Sequence, residues 1–424
     1  MPQQPQTRIS NKTIAVVDNG LFLSAARVLG ESFGKVYYIT ADQSAFPNPN
    51  VGRIGVGYPE IEVCNDLFDV IDKVDMLAYL DVNRGPEQAF FRKLGVPVWG
   101  AGLSEDLELD RKLFKNMLAE RRLPLGAYDV VKGITALRAF LKRHRDWFIK
   151  ISYWRGLLET LRSEDYALIE PRLDKLEYQL GPAKEEQEFI CEQSLPPQVE
   201  LAIDAPSIDG VRPAHVLQGI ELKGTAYLGW FTEYENTLAG LRAVDTAFAP
   251  WLKSKQCRSM MSIETRIGKD KRPFAIDPCM RCGSPPGALV PRFYKNFARA
   301  LWEGAAGNVV DLEGMGKYGV EIIISCDAAE KEPVPVRVPS DLDKYVALRS
   351  SYQKRDLQYT LPQNIGVNHV GGVIGWGNTV KEAFEHAKAV CEEVKGAGLD
   401  AHVDEWPNLM DEVKRAQEYG LKVV

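Results

Sequence analysis

Two carboxylates, Glu264 and Asp277, stand on either side of the turn Gly268-Lys269-Asp270-Lys271. The flanking runs S-I-E-T-R-I and P-F-A-I-D read as an antiparallel strand pair, which lets both acids point to one face. Carboxylates placed this way can share a magnesium ion, a cation that prefers hard oxygen ligands. Arg281 follows four residues after Asp277, where its planar guanidinium could brace a phosphoryl group. On spacing alone, a surface hairpin with ordinary charges accounts for these residues as well. The tract also holds Cys279-x-x-Cys282, a spacing seen in zinc and redox sites. No second C-x-x-C or C-x-x-H completes a four-ligand set, so two packed thiols is the favoured reading. Lys150 lies in the apolar run W-F-I-K-I. A charge within such a strand needs a partner, and a phosphate would serve.

The elements that must hold these residues follow from hydrophobic patterning. Thr13–Val17, a helical stretch from Leu21 to Leu29 and Lys35–Thr40 give a strand–helix–strand order that starts a parallel α/β sheet. Asp75–Leu80 and Val96–Trp99 continue it, with a helix near Glu87–Leu94. One helix is expected over Leu107–Arg121 and an amphipathic one over Ile134–Arg143. Further strands are expected at Trp147–Ile151, Glu188–Cys191, Val216–Leu222, Ser259–Arg266 and Pro273–Asp277, then at Gly319–Ser325 and Gly371–Trp376. Thr379 and Glu382 form a capping-box pair that opens a helix with Val380, Phe384, Ala387, Cys391 and Val394 inward.

In this order the chain resembles the ATP-grasp ligases, and among them the phosphoribosylglycinamide synthetase family. The metal tract of that family, E-F-N-x-R-F-G-D-P-E, is similar to D-P-C-M-R-C-G-S-P-P here. Its first nucleotide lysine lies in a run that resembles R-K-L-F-K-N-M, which gives that role to Lys112. Its second, in V-I-K-A, corresponds to Lys150 in F-I-K-I. Its adenine hinge V-I-E-E-F-L matches I-C-E-Q-S-L, so Glu192, Gln193, Ser194 and Leu195 would read the base, and Glu200 resembles the ribose-binding acid. N-H-V-G-G-V-I-G-W-G-N-T-V-K-E-A is similar to a structural stretch of the family's last lobe. The resemblance implies a Rossmann-like domain over 1–104, an ATP-grasp domain over 105–315 and a small α+β lobe over 316–424. It implies ATP with Mg²⁺ or Mn²⁺ as cofactors, a metal held by Glu264 and Asp277 with Cys279 at a third ligand position, and Arg281 acting on the phosphoryl group.

The sequence departs from the family at chemically important places. The glycine-rich loop over the phosphates is replaced by Y-W-R-G-L-L-E-T, in which Gly156 alone stays clearly placed. The N-terminal G-N-G-G-R-E-H-A, which grips a phosphorylated ribose, is D-N-G-L-F-L-S-A, so a different substrate is expected. Cys279 replaces a metal-ligating asparagine, and a thiol is a poor magnesium ligand. The expected activity is ADP-forming ligation of a small-molecule carboxylate to an amine, and the alternative is a non-catalytic nucleotide-binding or scaffold protein. With 52 basic and 58 acidic residues mixed along 424, nothing suggests a grip on nucleic acid. No apolar run approaches the ~18 residues that cross a bilayer, the N-terminus has no signal-like segment, and seven scattered cysteines fit a reducing cytoplasm. A monomer or homodimer is expected.

Overall fold

The computed structural model describes residues 9–40, 53–152, 160–196, 198–362 and 368–423. Its first sheet is wholly parallel, in the order Glu62–Cys64, Lys35–Thr40, Thr13–Asp18, Met76–Tyr79, Val98–Trp99. Both faces are covered, so Ile14, Ala15, Val16 and Val17 are all buried and the strand reads as a continuous apolar run. The order reverses direction between Thr13–Asp18 and Met76–Tyr79. Ligands of open parallel sheets bind beyond the carboxyl ends of strands at such a point, and Asp18 and Asp81 stand there.

A small lobe follows. Its antiparallel sheet runs Tyr128–Lys132, Glu188–Gln193, Trp147–Lys150, Thr160–Ser163. Helices Ile134–Leu141 and Tyr166–Leu180 cover one face, burying Leu137, Phe140, Ile149, Leu173, Leu176 and Phe189 together. The second helix was not expected from the sequence, because its pattern is diluted by Pro171 and exposed apolar residues such as Leu168 and Tyr178.

The third and largest sheet has nine strands. It runs Pro273–Cys279, Arg258–Ile267, Val199–Ile208, His215–Leu222, Ala226–Glu233, Tyr318–Ser325, His369–Gly377, Val346–Leu348, with Asp400–Ala401 beside Tyr318–Ser325. The pairing of Ala226–Glu233 with Tyr318–Ser325 carries the sheet unbroken across residue 316. A three-stranded sheet, Val334–Val336, Leu357–Thr360 and Ser351–Lys354, completes the last lobe.

Two local features differ from or extend the sequence reading. The helix expected over Leu107–Arg121 is broken in two, Asp106–Leu109 and Arg111–Glu120. Asp110 leaves helical geometry and accepts hydrogen bonds from the Lys112 and Leu113 amides at 3.0 Å, so it caps the second helix. At the far end the Thr379–Glu382 capping box forms as expected.

Glu321 interrupts the apolar strand Tyr318–Ser325 and is fully buried. Its Oε2 accepts the Ala288 and Leu289 amides at 3.0 Å, fixing the turn that follows Gly283. Burial pushes its pKa from 4.5 up to about 7, against the pull of Arg349. The unfolded chain therefore loses this proton first, and the contribution of Glu321 to stability falls as pH rises from 4.5 to about 7. Glu321→Gln should flatten the pH dependence of the thermal midpoint across that window; an unchanged slope would assign the buried proton elsewhere. Thr379→Ala should lower stability by about 1 kcal/mol in a denaturant melt.

Candidate functional site

The three sheets and the last lobe enclose one large cleft of about 1050 Å³. Its floor is the nine-stranded sheet, and the register of that sheet sets a row of acids across four neighbouring strands. Asp277 pairs with Glu264 on the next strand. Glu200 lies on the strand after that, and one residue beyond the Leu201–Ile220 pair it meets Glu221. Carboxylate oxygens of Glu200, Glu221 and Glu264 lie within 4.8 Å of one another.

Asp277 reaches this row through a β-bulge. Thr265 faces Ala275, but Glu264 faces Asp277, so Ile276 is an extra residue. Strand side chains alternate with a period of two, so a regular strand would turn Asp277 to the buried face of Ala275. One inserted residue flips the phase and aims it into the cleft.

Three of these acids pair with cations. Lys150 Nζ lies 2.8 and 3.0 Å from the Asp277 oxygens, and Arg111 donates to Asp277 at 2.7 Å. Burial disfavours the Asp277 carboxylate, but Lys150 and Arg111 outweigh it and hold its pKa well below the usual range. Lys223 bridges Glu264 at 2.7 Å and Glu200 at 3.0 Å, and Arg266 also donates to Glu200. Burial works against ionisation of Glu200, yet Lys223 and Arg266 lower its pKa. Burial and the neighbouring acids instead raise Glu264 well above its ordinary range, despite Lys223, and push Glu221 to about 7.

The small lobe meets this floor through buried charges. Glu192 Oε1 lies 3.3 Å from Lys150, and Glu192 Oε2 accepts from Lys115 at 2.8 Å. Burial disfavours the Glu192 charge, but the two lysines lower its pKa overall. Burial lowers the pKa of Lys115, partly opposed by Glu192.

The structure brings together Lys150, Glu192, Gln193, Leu195, Glu200, Glu264, Asp277 and Arg281, all lining the cleft with Cys279. It does not bring Lys112. That side chain is 47% exposed and pairs with Glu188 at 3.1 Å, outside the cluster. The reason is helical periodicity. Arg111 and Lys115 are four residues apart on one buried face, whereas Lys112 is rotated about 100° from it. Arg111 lines the cleft, and Lys115, 4% exposed, pairs with Glu192. Ser194 contributes backbone: its amide donates to Asp146 O, and that of Gln193 to Ala127 O.

The Cys279 sulfur lies 3.6 Å from the Arg281 and Cys282 carbonyls, and burial raises its pKa well above the ordinary thiol value. All seven cysteines are free, and Cys279 and Cys282 are both buried. Among the described residues, the donor cluster suited to a cation is Glu200, Glu221 and Glu264, and it does not include Cys279. Arg281 pairs with Asp81 at 3.1 Å and Glu108 at 3.2 Å, which links the floor to the first lobe. The substituted loop, residues 153–159, lies outside the described residues.

Sequence reasoning missed Arg111, Lys115, Glu221, Lys223, Asp81 and Arg349. The four-residue spacing of Arg111 and Lys115 was a usable signal. The others depend on register and on contacts between lobes, which no local pattern carries.

No protein-family model and no curated protein sequence matches the chain. Solved structures do. Phosphoribosylamine–glycine ligase from Thermotoga maritima aligns with a TM-score of 0.65 at 14% identity, over 92% of this chain and 99% of that one. Biotin carboxylase from Campylobacter jejuni, in a β-γ-ATP complex, gives 0.64 at 13%, over 96% of each. L-amino acid ligase from Bacillus licheniformis gives 0.58 at 15%, over 91% of this chain and 98% of that one. At these identities the likeness shows the fold: this chain has the ATP-grasp architecture.

Proposed function

We propose that the chain is an ADP-forming ligase that joins a carboxylate to an amine through an acyl phosphate. The observation that carries this reading is the buried cluster of Lys115, Lys150, Glu192, Arg111 and Asp277 where the small lobe meets the large sheet. Buried charges are expensive to desolvate, and here Arg111, Lys150, Glu192 and Asp277 line an open cleft rather than a closed core. The printed names of the structural neighbours, a glycine ligase and an L-amino acid ligase among them, support the same class.

Lys150 and Arg111, which line the cleft, would hold phosphate oxygens, with Lys115 bonded to Glu192 beside them. The Leu195 amide takes no backbone partner in the described residues, and with the Glu192–Leu195 segment it would read the base edge. A divalent cation would fit the hard oxygen set of Glu264, Asp277, Glu200 and Glu221. When bound it would neutralise phosphate charge. The acids keep their own cations in place until then, with Lys223 between Glu200 and Glu264. Arg281, held by Asp81 and Glu108, is aimed to offset charge on the transferred group. A carboxylate oxygen of the substrate would attack the terminal phosphorus, expelling ADP. The amine would then attack the acyl carbon, release phosphate and lose its proton to form the amide. The division into 1–104, 105–315 and 316–424 belongs to this proposal, with the last two parts sharing one sheet.

The protonated Cys279 thiol favours a second reading, a nucleotide-binding protein without turnover. Mg²⁺-dependent ADP release with a pool of carboxylates and amines separates the two: release supports the ligase, and binding of ATP without release supports the second. In calorimetry with Mg²⁺ and a non-hydrolysable ATP analogue, Arg111→Ala and Lys150→Ala should each weaken binding at least tenfold, about 1.4 kcal/mol. Lys112→Ala should stay within about twofold. Loss confined to Lys112→Ala would sink the assignment.

A further inference from the structure

Several cations lining the cleft are matched to acids. Lys150 and Arg111 hold Asp277, Lys223 and Arg266 hold Glu200, and Arg281 holds Asp81 and Glu108. Arg349 also lines the cleft and is 9% exposed. Among the described residues its guanidinium makes no hydrogen bond and no ion pair. Its one recorded bond is through the backbone, from its amide to Val370 O at 2.9 Å.

This is an uncomfortable place for a bare cation. Burial lowers its pKa, and Arg281 lowers it further by like-charge repulsion. Glu321 attracts it from beneath, but the two do not come within ion-pair distance, and Glu321 Oε1 is itself buried without a hydrogen bond. His369, which also lines the cleft, cannot help: burial and the Arg349 charge push its pKa down to about 4, so it stays neutral. A guanidinium that is desolvated, repelled by a neighbour and open on its cleft side lacks one partner, and the partner must be an anion.

The position is built. Arg349 precedes Ser350, whose amide donates to Gly20 O at 2.8 Å. Gly20 has φ +99°, and a Cβ there would come within 2.6 Å of Ser350 Oγ. The last lobe is thus locked against the turn after the first strand, and that contact fixes the backbone from which Arg349 projects. Arg349 stands near enough to Arg281 to be repelled by it, and both line the cleft.

The geometry points to Arg349 as the residue that recognises an anionic group of the substrate, a carboxylate or a phosphate, supplied from the last lobe. The inference rests on the ligase reading for which end of the cleft takes the substrate. The charges acting on Arg349 are Glu321 and Arg281, not Lys150 or Glu192 of the small-lobe end, which favours the substrate over the nucleotide base and its first phosphates as the target.

The test is calorimetry on the full chain with Mg²⁺ and a non-hydrolysable ATP analogue present, titrating succinate in one arm and inorganic phosphate in the other. Wild type should bind one of the two, and the arm that binds identifies the source of the anion. Arg349→Met should weaken that binding at least tenfold, while affinity for the ATP analogue is unchanged. Arg349→Lys, which keeps the charge but not the fork, should fall between them, and it keeps the test decisive if Arg349→Met fails to fold. Equal anion affinity in wild type and both variants, or no binding of either anion to wild type, overturns the proposal. A parallel loss of nucleotide affinity also overturns it, because Arg349 would then serve the phosphates of ATP. If wild type ignores the ATP analogue, the ligase reading fails instead, and the anion titrations without nucleotide still decide the role of Arg349.

Discussion

The contact on which the site depends is the buried pair of Lys150 and Asp277. It joins two sheets that share no strand. Lys150 comes from the small lobe, Asp277 from the edge of the nine-stranded sheet, and Arg111 and Glu192 flank them. Taking charges out of water costs several kcal/mol for each ion, and pairing returns this only when geometry and further hydrogen bonds are good. Here Asp277 accepts three such bonds, two from Lys150 and one from Arg111. The pair therefore sets how the small lobe sits over the floor. It also leaves a lysine poised at the point where a phosphate would compete for it.

That pair exists because of one inserted residue. Were Ile276 a regular ladder residue rather than the extra residue of a bulge, Asp277 would share the buried face of Ala275. The bulge costs a regular ladder position and gains the fourth member of the acid row. The same logic runs through Asp110. Breaking the helix there satisfies its first amides and starts a new turn whose Arg111 reaches Asp277 and whose Lys115 reaches Glu192.

Much of the architecture was legible because it is carried by local pattern. The parallel strands of the first lobe, the turn between Glu264 and Asp277 and the Thr379 capping box follow from residues a few positions apart. The site was legible only where a residue's neighbours along the chain mark it, as the apolar run around Lys150 does. The choice of Lys112 failed because motif alignment ignores which face of a helix a position occupies. The acid row was invisible beyond Glu264 and Asp277, because Glu200 and Glu221 become neighbours only through strand register. The carboxylate cluster leaves out Cys279, because a chemical group at a ligand position says nothing about where its sulfur points.

The charge arrangement suggests how such a site can wait for its ligands without unfolding. Glu221, Glu200, Glu264 and Asp277 form a row that Lys223, Arg266, Lys150 and Arg111 hold in check. A phosphate chain arriving alone would draw Lys150 away and leave Asp277 buried without its main counter-charge. A divalent cation arriving alone would have to displace Lys223 from Glu200 and Glu264. Arriving together, they exchange partners: lysines pass to phosphate oxygens and carboxylates pass to the metal, with no buried charge left bare. The physical demand for that exchange couples nucleotide to metal more tightly than either could be bound by its own contacts. It also sets this end of the cleft, where Lys150, Arg111, Lys223 and Arg266 each have an acid, apart from Arg349, which has no ion-pair partner among the described residues.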